Sequence, residues 1–205
     1  MKLKNNYRFL SFILIFLSFS SFFLGFYLDE NSAGAGTYGG DWDIGWENIQ
    51  IILNNDLSIA LNHPDYLTNR TPLVYTLHKL FNPFVETEIG FRRSVFIISL
   101  IAPVLFYSCL KQKFKNKDSL LLLLIASIIL LSPYYRTSSY WALDENYSFI
   151  SLLITFLLLN KFLEVKEEQG GYKIYFQLLL LTFFSSLCIY FDPKLLIIPI
   201  ICFLK

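Results

Sequence analysis

Two pairs of adjacent carboxylates, Asp29-Glu30 and Asp144-Glu145, each stand at one end of a long apolar run in a 205-residue chain. An ionisable group at the edge of hydrocarbon is costly unless it faces water or a polar cavity. Partial burial there tunes a carboxylate to take the proton of a hydroxyl, as a general base does. Each pair alone also fits a solvated helix end, but two pairs on one side of a membrane would line one cavity. Asp41 and Asp43 alternate with Trp42 and Trp46. Such acids would hydrogen-bond sugar hydroxyls while the indoles stack on sugar faces; as a rival reading, the tryptophans anchor the chain at the interface. Arg93, beside Arg92, and Arg136, among aromatics in SPYYRTSSYW, carry the planar fork that grips phosphate. Snorkelling toward the interface is their other use.

The remaining chemistry-bearing residues carry less. His63 and His78 lack any metal-ligand spacing, and Cys109, Cys188 and Cys202 lie in apolar runs without CxxC or Cys/His patterns. Gly34, Gly36, Gly39 and Gly40 lack the context of a phosphate-binding loop and read as a flexible segment. NRT (69–71) and NYS (146–148) match glycosylation acceptors, a pattern often met by chance. A net charge of +1 leaves no electrostatic footprint for nucleic acid.

The elements that must hold these residues are helices in a membrane. The chain is 55% hydrophobic and 16% charged, with 21 Phe and 13 Tyr, outside the balance of a soluble domain. The reading is all-α, a polytopic transmembrane helical bundle forming one membrane domain over 1–205. Spans are expected at about 9–28, 94–110 with a kink at Pro103, 119–135, 141–160, 174–191 and an incomplete one at 195–205. The first run is too long for the apolar core of a cleaved signal peptide and ends in acids. The incomplete last span suggests the front part of a longer protein. Lys2, Lys4, Arg8, the lysines of 111–117, Lys161, Lys166 and Lys173 crowd one side, so the amino terminus is expected in the cytoplasm and 29–93 outside. Within that outer loop Ile49, Ile52, Leu53, Leu57, Ala60 and Leu61 predict an amphipathic helix along the membrane surface. A second is predicted from Pro72, with Thr71 as N-cap, to a stop at Asn82-Pro83.

A span followed by LDE, an outer loop with two interfacial helices and TPLVYTLHKL, then RRSVFIISL opening the second span, resembles the N-terminal half of membrane-embedded GT-C glycosyltransferases. The nearest group is the bacterial relatives of protein mannosyltransferases and lipid A aminoarabinose transferases. The resemblance implies a GT-C-like fold, catalytic Asp29 with Glu30 as its neighbour, and an acid at Asp144. It also implies a polyprenyl-phosphate sugar donor and a lipid, glycan or protein acceptor outside the cytoplasmic membrane. The family's histidine-proline-proline-like run is NRTP here, and its later spans are not in this sequence. Asp29 would take the acceptor's proton as the oxygen attacks and inverts the anomeric carbon. Arg93, Arg136 or a divalent cation held by several acids would balance the charge growing on the phosphate. The rival readings are a polysaccharide polymerase or transporter and a truncated, non-catalytic remnant. A transporter would place charge near the midplane, and these spans are almost free of it.

Overall fold

The computed structural model describes residues 2–34, 36, 40–67, 71–164, 171–197 and 200. It is all-helical: α1 (Lys2–Tyr27), α2 (Asp41–Asn54), α3 (Leu57–Ala60), α4 (Pro72–Phe81), α5 (Glu88–Ser99), α6 (Ile101–Lys113), α7 (Ser119–Ser127), α8 (Pro133–Tyr140), α9 (Glu145–Glu164) and α10 (Gly171–Phe191). Among the described residues four stretches are long and apolar enough to cross a membrane, Asn6–Tyr27, Glu88–Lys113, Glu145–Leu163 and Gly171–Phe191, and Ser119–Leu131 with Pro133–Tyr140 forms a pair bent by 66° that would make a fifth if it is one span. This pattern suits a multi-pass membrane protein.

Three expectations shift at the breaks. The span expected over 94–110 begins at Glu88, and the break expected from Pro103 falls in the turn before it, at Leu100. Pro103 therefore lies in the first turn of α6, where its missing N–H costs little. The carbonyl it leaves without a helical donor, that of Ser99, accepts instead from the Tyr135 hydroxyl. The run expected over 119–135 is α-helical only to Ser127, continues as a 3-10 turn to Leu131 and stops at Ser132, before Pro133. Ser132 then caps α8 by accepting from Tyr135 N. The fourth span starts at Glu145 rather than 141, and most of the stretch after 197 lies outside the described residues.

The predicted first amphipathic helix is also different. It begins at Asp41, directly after the glycines read as flexible, and breaks at Asn55 and Asp56. α2 packs on α4, burying Ile49 and Ile52 together with Val74 and Tyr75 inside the protein, while Leu57 and Leu61 of the expected stripe stay exposed. Leu80, Phe81 and Phe84 remain exposed. α4 starts and stops where predicted, although Thr71 makes no side-chain cap bond.

Contacts divide the chain, expected to be one domain, into two compact units. In the first, Met1–Ser21, Ile101–Leu131 and Tyr147–Lys205, α6 and α7 form a hairpin whose turn ends at Asp118, which caps Leu120 N. Cys109 and Cys188 are buried thiols outside any disulfide among the described residues; Cys109 donates to Leu153 O, and Cys188 O accepts from Ser148. Cys202 lies outside the described residues. The second unit, Phe22–Leu100 and Ser132–Asn146, is built on an aromatic core. Phe26 and Phe96 stack at 4.4 Å, Phe22 and Phe96 at 5.2 Å, and the Tyr140 hydroxyl donates to Phe22 O at 2.6 Å.

Candidate active site: two carboxylates on two buried arginines

The site grows from the end of α1. Glu30 N donates to Gly25 O at 2.9 Å and Asp29 N to Phe26 O at 3.3 Å, the paired bonds of a Schellman cap. That motif needs a left-handed residue at the position of Asp29, where glycine is usual; Asp29 takes it, with φ +50°. Left-handed backbone costs a residue with a side chain about 1–2 kcal/mol, less for aspartate than for most. A carboxylate at a helix C-terminus also meets the negative end of the dipole. Two unfavourable terms at one residue require a partner.

Arg92 is that partner. Its Nη2 donates to Asp29 Oδ1 at 2.6 Å, and its Nε to Tyr140 O at 2.8 Å. The guanidinium lies 4.0 Å from the Trp141 ring centre, so the cation is held by a face as well as by edges. Arg92 is 8% exposed, whereas Asp29 is 63% exposed. One carboxylate oxygen is thus fixed by a buried cation while most of the side chain remains open.

Glu30 is arranged differently. Arg136 grips it through two bonds, Nε donating to Oε1 at 2.7 Å and Nη2 to Oε2, and Ser32 adds a third to Oε1 at 2.7 Å. The bonds from Arg136 hold the Glu30 carboxyl below its ordinary range, against the opposing effect of burial. Gly25 makes this possible: a Cβ there would run into Arg136 Nη2, Glu30 Oε2 and the Tyr140 hydroxyl. The Trp141 indole donates to Glu30 O at 3.0 Å, tying both pairs to one residue.

α8 ends the same way as α1. Leu143 N donates to Ser138 O at 3.0 Å, and Ala142 adopts φ +50° in the glycine position. Asp29 and Ala142 are the non-glycine residues with positive φ among the described ones. Both flank the two arginine contacts, and strained backbone concentrates where a site must be held rigid.

The other predicted residues fall as follows. Trp42 is 1% exposed, stacks on Trp46 and Phe91, and donates from Nε1 to Glu88 Oε1 at 3.1 Å. It is a core residue, so it neither stacks on a sugar nor anchors in lipid. Asp41 and Asp43 occupy the first turn of α2, where acids complement the helix dipole. Asp144 is buried rather than placed at an open rim, and half-buried Glu145 opens α9. Arg136 faces Glu30, so its fork is already occupied. Arg93 is exposed, makes no hydrogen bond or ion pair among the described residues, and lines a groove of ≈ 460 Å³ with Phe84, Ile89 and Ile97. Consecutive helical residues point about 100° apart. One turn of α5 therefore sends Arg92 to Asp29 and Arg93 into the groove. Among the described residues no group of three His, Cys, Asp or Glu could hold a metal ion.

Gly25, Tyr140, Trp141 and the choice of Arg92 over Arg93 were not legible as site features. A signal for Arg92 existed: it shares the buried stripe of Phe91, Val95, Phe96 and Ser99, and Arg93 does not. His78 is structural. Asn82 Oδ1 accepts from Phe84 N and Ser94 Oγ, so its amide N–H faces His78 Nδ1 at 2.8 Å and that nitrogen carries no proton. Asn146 of the NYS pattern is wholly buried, closed to glycosylation in the folded chain, and Asn69 of NRT lies outside the described residues. Compared with family models, with curated proteins and with solved structures, the chain matches none.

Proposed function

We propose that this chain carries the catalytic base of a membrane-embedded glycosyltransferase of GT-C type. It would take a sugar from a polyprenyl-phosphate donor and pass it to a lipid, glycan or protein acceptor at the outer face of the cytoplasmic membrane. The observation that carries this reading is the asymmetry at Asp29: one oxygen is positioned by buried Arg92, yet the side chain is 63% exposed at the end of an apolar helix. A base must be fixed in direction and open to its substrate, and Asp29 meets both demands. Glu30, gripped by Arg136, serves as the positioning neighbour.

In the reaction, the Asp29 carboxylate accepts the proton of the acceptor hydroxyl. The freed oxygen pair attacks the anomeric carbon from the face opposite the leaving group, the bond to the phosphate oxygen breaks with inversion, and polyprenyl phosphate departs with that electron pair. Negative charge thus builds on the phosphate. Arg93, without an ion pair among the described residues, lines a groove with Glu86 and the apolar Phe84, Ile89 and Ile97, and offers the phosphate a cation beside a surface for the prenyl chain. The test is to supply labelled polyprenyl-phosphate sugars to membranes containing the chain. Labelled lipid, glycan or protein product above that of membranes lacking it is expected; no product with any donor overturns the proposal.

A further inference from the structure

The groove of ≈ 460 Å³ that Arg93 lines also carries an acid, Glu86. Both side chains are exposed, and among the described residues neither makes a hydrogen bond or ion pair, with the other or with anything else. Opposite charges that share a groove without meeting suit a ligand that bears both signs.

The walls of the groove are braced. Asn82 Oδ1 accepts from Phe84 N and from Ser94 Oγ, both at 3.0 Å, which ties the start of the loop 82–87 to the second turn of α5. Val85 is buried, and Thr87 Oγ1 accepts from Gly90 N at 3.2 Å. Gly90 lets the loop lie this close, because a Cβ there would run into Phe84 O and Thr87 Oγ1. Glu86 thus stands on a braced loop and Arg93 on a helix, so little backbone is left to order on binding.

The surroundings indicate the source of the ligand. Arg93 lies five residues, about 7.5 Å, inside the apolar stretch Glu88–Lys113. Ile89 and Ile97, one turn to either side of it, are 46% and 64% exposed, and Phe84 is 68% exposed. A cation on an apolar helix face is costly unless it reaches water or an anion. The anion at hand beside hydrocarbon is a lipid phosphate, and the exposed apolar side chains offer a surface to acyl chains. Glu86 then selects among phospholipids. It repels a purely anionic headgroup and accepts hydrogen bonds from a primary ammonium, which a trimethylammonium cannot donate.

We infer that this groove binds a zwitterionic phospholipid of the phosphatidylethanolamine type, its phosphate on Arg93, its ammonium on Glu86 and its acyl chains along Phe84, Ile89 and Ile97. The inference does not rest on the catalytic reading. A polyprenyl-phosphate donor shares only the phosphate, so a donor using Arg93 would enter by displacing this lipid.

The whole chain, purified in mild detergent, would be titrated with phosphatidylethanolamine, phosphatidylcholine and phosphatidylglycerol, and bound lipid counted by native mass spectrometry. Phosphatidylethanolamine is expected to bind about fivefold tighter than either of the others, the scale of one exposed ion pair. Glu86→Gln should erase this preference, and Arg93→Gln should weaken binding of all three. Glu47→Gln, the same change of charge at an exposed position outside the groove, should keep the preference. Equal binding of phosphatidylethanolamine and phosphatidylcholine by the unaltered chain, or a preference that survives Glu86→Gln, overturns the site. Displacement by soluble phosphoethanolamine at lipid-like concentrations overturns the lipid and leaves a site for the free headgroup.

Discussion

Arg92 reaches Asp29 across 2.6 Å while its other edge bonds the Tyr140 carbonyl and its face covers Trp141. Three different contacts thus fix one guanidinium, and no other side chain reproduces all of them. Arg92→Gln should therefore destabilise the chain by about 2 kcal/mol, the scale of a lost charged hydrogen bond in a buried setting. Arg92→Lys should recover little of it. Thermal unfolding in detergent measures both; a lysine variant as stable as the parent would show that charge alone matters here.

Gly25 tests the second pair. A methyl group at this position meets Arg136, Glu30 and Tyr140 together, so Gly25→Ala should cost about 1–3 kcal/mol through overpacking. Gly45 is the control, because its added Cβ would only touch the Tyr75 hydroxyl at 3.5 Å. Gly45→Ala, within α2, should be neutral or stabilising by up to about 1 kcal/mol. Equal melting temperatures for the two variants would mean that the close approach at Gly25 is not required.

Stability should also depend on mild acid through His78. Burial lowers this imidazole from 6.5 to about 4, so the unfolded chain binds a proton between those values and the folded chain does not. Its contribution is complete above pH 6.5 and is lost as pH falls toward 4, up to about 3 kcal/mol. Glu30, also lowered, adds its loss only below 4.5. Unfolding followed from pH 7 to pH 5 should show a slope that His78→Gln flattens; an unchanged slope would locate the titration elsewhere.

How far these relations could be read from sequence differs by element. α1, α9 and α10 are near-continuous apolar runs of about span length, and such runs have few alternatives. α8 hid because its residues are polar on average, yet Tyr135–Tyr140 are all buried by packing on α5 and by contacts with the end of α1. Hydropathy cannot register a helix whose polar groups are satisfied inside the protein. The start of α2 was masked by the glycines before it, although Asp41 and Asp43 are suited to a first turn. Asp29 and Glu30 stood out as a pair, but their opposite surroundings arise from residues about 60 and 100 positions away, Arg92 and Arg136. Adjacent carboxylates look equivalent until the tertiary structure assigns each its arginine.

That asymmetry makes one comparison decisive: sugar transfer by Asp29→Asn beside Glu30→Gln, each normalised to folded protein in the membrane. Asp29→Asn takes the carboxylate from buried Arg92, so it should cost about 1–3 kcal/mol of stability and, per folded molecule, lower transfer by about 10²–10⁴-fold. Glu30→Gln should lose stability and retain most of the activity per folded molecule. Transfer by Asp29→Asn within twofold of the parent, at equal folded amount, would contradict the assignment of the base.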